Sequence, residues 1–253
     1  MALTILLAFA PGARPHFGQS AKGDVTIAKI VVRGNTTLTG DAIIRTSGLR
    51  VGNLLTARSL ADAEKKLLVT GDFGMHLRNP NEGIKVRSRI SGRRAAIEIE
   101  VDENDPIKEI KLTDTGPLKV SDLTGLMQTK AGGLLNLPRL QRDVERLQKA
   151  YDEEGYQSFV SEKLGVRDRV LYIPIVVTRV ARITFKGLSR VKESTVFENM
   201  KVKAGDYYNL TNLLQDSKTL RNLGLFDDIG TAFAYPTPGK IELTLKFKEK
   251  PRP

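Results

Sequence analysis

The sequence predicts an α+β fold of three tandem β-α-α-β-β units, each a three-stranded mixed sheet covered on one face by two helices. Three observations predict it. The chain repeats itself: one gap-free register lays Ile30 on Ile183, Gly34 on Gly187, Gly52 on Gly205, Leu60 on Leu213, Leu67 on Leu220, Gly71 on Gly224 and Phe73 on Phe226. A second register lays Ile30 on Ile110, Leu38 on Leu118, Gly52 on Gly132, Leu60 on Leu140 and Leu67 on Leu147. Self-similarity at a fixed interval marks an array of one supersecondary unit. Within each copy a capping residue precedes leucines at helical spacing, and behind the helices comes a pair of segments alternating apolar with polar.

The elements follow in order. Ile27, Ile30 and Val32 form a strand that stops at the turn Gly34-Asn35. Thr39 precedes a short helix over Asp41–Ile44 that ends near Gly48. Thr56 offers an N-cap hydroxyl for a second helix, whose Leu60, Ala63, Leu67 and Leu68 share a face before Gly71 stops it. Asn136 and Asn209 hold the matching cap position in the other copies. Then Ile84, Val86 and Ile90 alternate with Lys85, Arg87 and Arg89, Ser91-Gly92 turns, and Ala95, Ile97, Ile99 and Val101 alternate with Ala96, Glu98 and Glu100. Period two with one polar face predicts a half-buried antiparallel hairpin, with a basic row set beside an acidic row.

The third copy repeats this with Ile229, Thr231 and Phe233, the turn Pro236–Lys240, and Ile241, Leu243, Leu245 and Phe247. In the second copy the inward set of the last strand is Leu171, Ile173, Ile175 and Val177, and the second helix runs a turn longer, through Tyr151–Glu154. Pro174 falls in that last strand, which should be central, whereas proline belongs at edges. The strand is therefore expected to be bulged or to have an incomplete ladder on one side. Boundaries are expected at 23/24, 103/104 and 179/180, giving a signal-like or disordered segment (1–23) and domains over 24–103, 104–179 and 180–253.

Composition narrows the function. The 253 residues include no cysteine, which removes disulfide frameworks and Cys-based zinc sites. Leu3–Ala10 is apolar except for Thr4, and Pro11, Gly12 and Ser20-Ala21 follow, as in the core and cleavage zone of an export signal; a disordered or tag-derived tail is the other reading. The run is too short to span a bilayer. The formal net charge of +11 raises nucleic acid as a partner, but the charge is spread over all three units and lacks interleaved aromatic platforms. An anionic membrane surface accounts for it equally well.

Catalytic equipment is thin. His16 and His76 are the two histidines, too few for a metal site without cysteine, so neither metal nor cofactor is implied. Glu153-Glu154 and Asp227-Asp228 are neighbours in sequence at element ends, where carboxylates are solvated rather than convergent in a cleft. Gly132-Gly133 lacks the Lys-Ser/Thr of a phosphate loop. The sequons at Asn35 and Asn209 are short chance-prone patterns, and Asn209 is already a cap. Tyr207 and Tyr208 precede that cap, and Tyr208 aligns with Leu55, a core position.

The site that physics favours is a sheet edge, where an outer strand offers free amides and carbonyls to an extended peptide. The first strand of each hairpin is the candidate: Ile84–Ile90, with Ile84, Lys85, Val86, Arg87 and Arg89; Phe159–Val166, with Phe159, Val160 and Ser161; and Ile229–Phe233, with Ile229, Thr231 and Phe233. The competing reading makes the basic residues ordinary guards against edge-to-edge pairing. A groove between the second helix and the sheet rim is the other candidate dock.

The repeated tails LRNLGLFDDIG (Leu220–Gly230) and LLVTGDFG (Leu67–Gly74), the turn glycines and the joints VDENDPIKEIKL (Val101–Leu112) and FKEKPRP together resemble the POTRA domain. Such domains occur in series in outer-membrane assembly proteins of the BamA type. The resemblance covers about residues 24–253 and implies a periplasmic scaffold, not an enzyme, that delivers unfolded outer-membrane proteins for insertion without ATP or cofactor. The partners it implies are those clients, accessory assembly proteins or chaperones, and a following membrane β-barrel, with no specific nucleic acid. A two-partner secretion or autotransporter-assembly component is the alternative within the family. A basic RNA-binding repeat protein is the alternative outside it.

Overall fold

The computed structural model describes residues 24–75 and 80–251. The export-signal reading of 1–23, His16 and His76 therefore lie outside the described residues. Those residues divide into two compact units: residues up to Leu67 with Ile84–Val101, and Leu68–Gly83 with the chain from Asp102 onward.

The first unit holds β1 (Thr26–Arg33), α1 (Gly40–Ser47), α2 (Ala57–Thr70, whose last turn belongs to the second unit), β2 (Ile84–Ser91) and β3 (Arg94–Val101). β3 lies in the middle, parallel to β1 and antiparallel to β2. Its inward row Ala95, Ile97, Ile99 and Val101 is buried together with Ile27, Ile43, Ala63 and Leu67. The cap predicted at Thr56 forms, and two more bound α1. Thr39 accepts from the Ala42 amide, Gly48 takes the left-handed C-cap at φ 76°, and Thr56 and Ser59 form a reciprocal capping pair at the start of α2. Gly34, at φ 83°, backs against the Val101 carbonyl; a Cβ there would stand 2.0 Å from that oxygen. Gly187 meets the Phe247 carbonyl in the same way, while the second copy places Asp114 at φ 60°.

The second unit contains the other two copies. β4 (Glu109–Thr113), α3 (Val120–Leu126), α4 (Leu137–Glu153), β5 (Ser158–Val160), β6 (Gly165–Arg167) and β7 (Val170–Val177) form one. β8 (Arg179–Lys186), α5 (Glu193–Glu198), α6 (Leu210–Asn222), β9 (Phe226–Ala234) and β10 (Lys240–Glu249) form the other. β10 is central, parallel to β8 and antiparallel to β9.

The second copy departs from the expected single strand over Phe159–Val166. Residues 161–164 leave the ladder, so β5 and β6 pair separately with β7 and the sheet has four strands rather than three. Phe159 and Val160 are in β5, but Ser161 lies beyond it. The gap falls opposite Ile173 and Pro174, and Pro174 keeps only its carbonyl engaged there, accepting from the Ser161 amide. A residue with no N–H cannot carry the ladder on that side. The β6–β7 turn uses Asp168 and Arg169 at φ 50° and 62°.

Two polar devices hold this unit together. Buried Asp143 on α4 accepts from the Gln128 and Thr129 amides at 2.8 and 2.7 Å and pairs with Arg146. Buried Asp216 on α6 does the same for Lys201 and Val202. The first copy has Ala63 at this position, and the Ser47 hydroxyl receives the Leu49 amide instead. The second device is a cap that works in two directions. Asn136 accepts from the Arg139 amide and donates to the Thr70 carbonyl; Asn209 accepts from the Asn212 amide and donates to the Glu154 carbonyl. Buried Asn104 donates to the Gly71 and Leu135 carbonyls and accepts from Met75. Tyr207 stacks under Arg179, 3.7 Å from its ring centre, and packs on Gly116. Among the described residues no helix is long and apolar enough to cross a membrane, which says nothing of a β-barrel.

Burial would raise the Asp143 carboxyl, but hydrogen bonds from the Gln128 and Thr129 amides and from Arg146 outweigh it and hold it below its ordinary value. Its stabilisation is therefore present above the unfolded carboxyl pKa of about 4 and fades as pH falls through the folded value. Asp143→Asn should cost roughly 1–3 kcal/mol at neutral pH in urea unfolding. The gap to wild type should shrink on acidification; a gap independent of pH would contradict this role. Asn209→Thr keeps an N-cap but loses the donor to Glu154. It should cost about 1 kcal/mol and speed amide exchange at Leu210, which donates to the Gly155 carbonyl. Unchanged exchange would show that the tie does not hold the joint.

Candidate strand-accepting edges

The central position of the last strand leaves the first strand of each hairpin at a rim. On the opposite rim the start of each first strand is covered by a loop. The Gly52, Gly132 and Gly205 amides donate to the Ile27, Ile107 and Val180 carbonyls, and the Asn53, Gly133 and Asp206 carbonyls accept from the Ile27, Ile107 and Val180 amides. These glycines sit at φ 86–92°, a conformation that disfavours a side chain. Main-chain groups open to a partner are therefore sought on β2, β5 and β9.

Along β2, Ile84 and Val86 face the core while Lys85, Arg87 and Arg89 face solvent. The basic row meets the acidic row as predicted: Lys85 stands opposite Glu100 and Arg87 opposite Glu98. The salt bridge that forms is diagonal, Arg87 to Glu100 at 3.2 Å, and Arg33 takes Glu98 at 3.1 Å. The Val86 amide points away from β3 and donates to the Glu64 carboxylate of α2 at 2.9 Å. Sequence reasoning missed Glu64, because an acidic residue on an exposed helix has no periodic signature. Glu64 also bridges α2 to the rim in the helix–sheet groove proposed as the second dock. Beyond it Ser88 is exposed between Arg87 and Arg89, and Ile90 is exposed after Arg89.

β9 has the same frame with different contents. In the shared register Ile229 corresponds to Ile84, Thr231 to Val86 and Phe233 to Ser88. The Ile229 carbonyl points outward and accepts from the Arg221 guanidinium of α6 at 3.3 Å. Antiparallel alternation then turns the Thr231 and Phe233 amides outward as well. Among the described residues nothing bonds either amide. β5, with three residues, gives Phe159 and Val160 a short rim that ends at Ser161.

Beside the β9 rim lies an open cleft of about 400 Å³ lined by Asp152, Tyr156, Gln157, Tyr208, Leu210 and Tyr235. Tyr208 itself is buried, as its alignment with Leu55 implies, and its ring meets Phe233 edge-on with centres 6.3 Å apart. Burial and the neighbouring Tyr235 raise its phenol pKa. The pairs Glu153-Glu154 and Asp227-Asp228 are exposed, and no group of acidic or histidine side chains among the described residues could hold a metal.

The POTRA family, described as a surface antigen variable number repeat, matches residues 106–177 and 178–250, more than half of the chain. The chain belongs to the POTRA family. The structure of the N-terminal domain of Omp85 from the thermophilic cyanobacterium Thermosynechococcus elongatus is similar, with a TM-score of 0.68 and 21% identity over 91% of this chain and all of that one. The first three POTRA domains of Omp85 from Anabaena give a TM-score of 0.55 and 18% identity over 90% of this chain and 97% of that one. These likenesses concern the fold. A protein of Treponema pallidum (strain Nichols) named an outer membrane protein assembly factor is 26% identical over 116 residues, 43% of this chain. The match spans 14% of that protein's length.

If Arg87 and Arg89 guard the rim of the first POTRA sheet rather than support it, the double change Arg87→Ala with Arg89→Ala should cost less than about 1 kcal/mol in urea unfolding. It should also make sedimentation concentration-dependent through edge pairing. Loss of stability with no self-association would assign these side chains to the fold instead.

Proposed function

We propose that this POTRA chain is the periplasmic scaffold of an outer-membrane protein assembly system. It binds extended segments of unfolded outer-membrane proteins along sheet edges and passes them on for insertion. The observation that carries this reading is the outward main chain of β9, whose Thr231 and Phe233 amides match the spacing of an added strand. Main-chain pairing tolerates many sequences, which suits a receptor of varied clients. The name of the Treponema pallidum relative points to the same process. Accessory assembly proteins or chaperones, an anionic membrane surface and a membrane β-barrel are the further partners of this reading, and it asks for no catalysis.

Salt separates it from a nucleic-acid role. Binding of an unfolded outer-membrane barrel polypeptide to the purified chain should change little between low and physiological ionic strength, because strand pairing is uncharged. Any binding to single-stranded RNA should instead fall with a log–log slope of about −0.7 per phosphate contact. RNA binding that stays selective at physiological salt, with the polypeptide unbound, would overturn the proposal.

A further inference from the structure

The rims of β2 and β9 share one frame but differ in their side chains, and the difference decides which rim is open. On α6, Leu210, Leu214, Ser217 and Arg221 lie along one stripe of the helix. The bond from Arg221 to the Ile229 carbonyl shows that this stripe faces β9. The repeat register places Ala57, Ala61 and Glu64 at the first three of these positions in the first copy. Glu64 thus stands where Ser217 stands, and the amide it bonds, Val86, stands where Thr231 stands. We infer that the edges are not equivalent: Glu64 occupies the first edge from within the chain, and β9 is the edge that accepts an extended, uncharged peptide segment. This inference rests on the sheet-edge reading given above.

The surroundings agree on the chemistry of the segment. A lone carboxylate acceptor satisfies the Val86 amide, so a strand adding to β2 must first displace it, and guanidinium groups flank the amides that remain. From Gly230 to Ala234, β9 has no charged side chain. Its inward row ends in Phe233, 45% exposed, Tyr235 follows just past the strand at 61%, and α6 faces the rim with Leu210 and Leu214, 47% and 62% exposed. A segment added there meets carbonyl acceptors and amide donors at strand spacing, and it lays every second side chain between two apolar walls. A free helix has its main chain paired internally and cannot meet Thr231 and Phe233 in this way. An extended segment alternating small polar with apolar or aromatic residues fits both demands.

The test uses the full chain and a synthetic peptide of roughly ten residues alternating threonine with valine and ending in phenylalanine, followed by amide hydrogen exchange. The peptide should protect Thr231 and Phe233 and leave Val86 and Ser88 unprotected by binding. Thr231→Pro, or Leu214→Glu if the proline variant does not fold, should weaken binding at least about tenfold. Glu64→Ala should admit a second equivalent of peptide with new protection at Ser88, whereas Glu64→Gln, which retains the acceptor oxygen, should not. Protection at Val86 and Ser88 in the unmodified chain, or no second equivalent in Glu64→Ala, would overturn the inference while leaving capture at sheet edges standing. Binding that protects no strand amide, or no binding, would overturn the sheet-edge reading itself.

Discussion

The structure depends on one topological constraint: the last strand of each copy inserts between the first strand and its own hairpin partner. β3 does this in the first copy, β7 in the second and β10 in the third. The insertion buries an apolar row such as Leu243, Leu245 and Phe247 under two helices, and it supplies each central strand with neighbours on both sides. The cost falls on the first strand of the hairpin, which is left at the rim with half of its main chain unpaired. Each copy therefore acquires a rim with main-chain binding potential as a by-product of building its core.

The copies treat that rim differently while sharing the core. Glu64 and two arginines occupy the first, Pro174 interrupts the partner ladder of the second, and the third is left with uncharged residues and an aromatic end. The joints follow the opposite logic. Asn136 and Asn209 use both halves of one amide, the oxygen to start a helix and the nitrogen to hold the end of the preceding one. Thr56, the first-copy counterpart, caps with a single hydroxyl. An amide carries its acceptor oxygen and its donor nitrogen on separate atoms of one planar group, so it can reach two partners in different directions at once, which suits asparagine to those two positions.

Much of this was legible in the sequence. Alternation in Ala95–Val101 and the leucine stripe of Leu60–Leu67 are local patterns produced by burial on one face, and the caps at Thr56, Asn136 and Asn209 follow from short-range hydrogen bonding. The misfit of Pro174 was visible too, as a residue lacking an N–H in a central strand. What stayed hidden depends on register between distant segments. The apolar residues from Phe159 to Val166 read as one strand because nothing local shows that 161–164 face a proline. Asp143 and Asp216 look like ordinary polar positions on exposed helices, and only the packed fold brings two loop amides to each carboxylate. Glu64 is hidden for the same reason: its partner is an amide more than twenty residues away.

In the proposed role an extended segment pairs with the chain through its main chain. The most direct measurement is the scalar coupling transmitted across a hydrogen bond, from the amide nitrogen of Thr231 to a carbonyl carbon of an isotope-labelled bound peptide. Strand pairing should give a resolvable coupling at Thr231 and at Phe233, on alternate residues of one strand. A bound peptide whose contacts run along helix side chains, with no coupling to any strand amide, would contradict it.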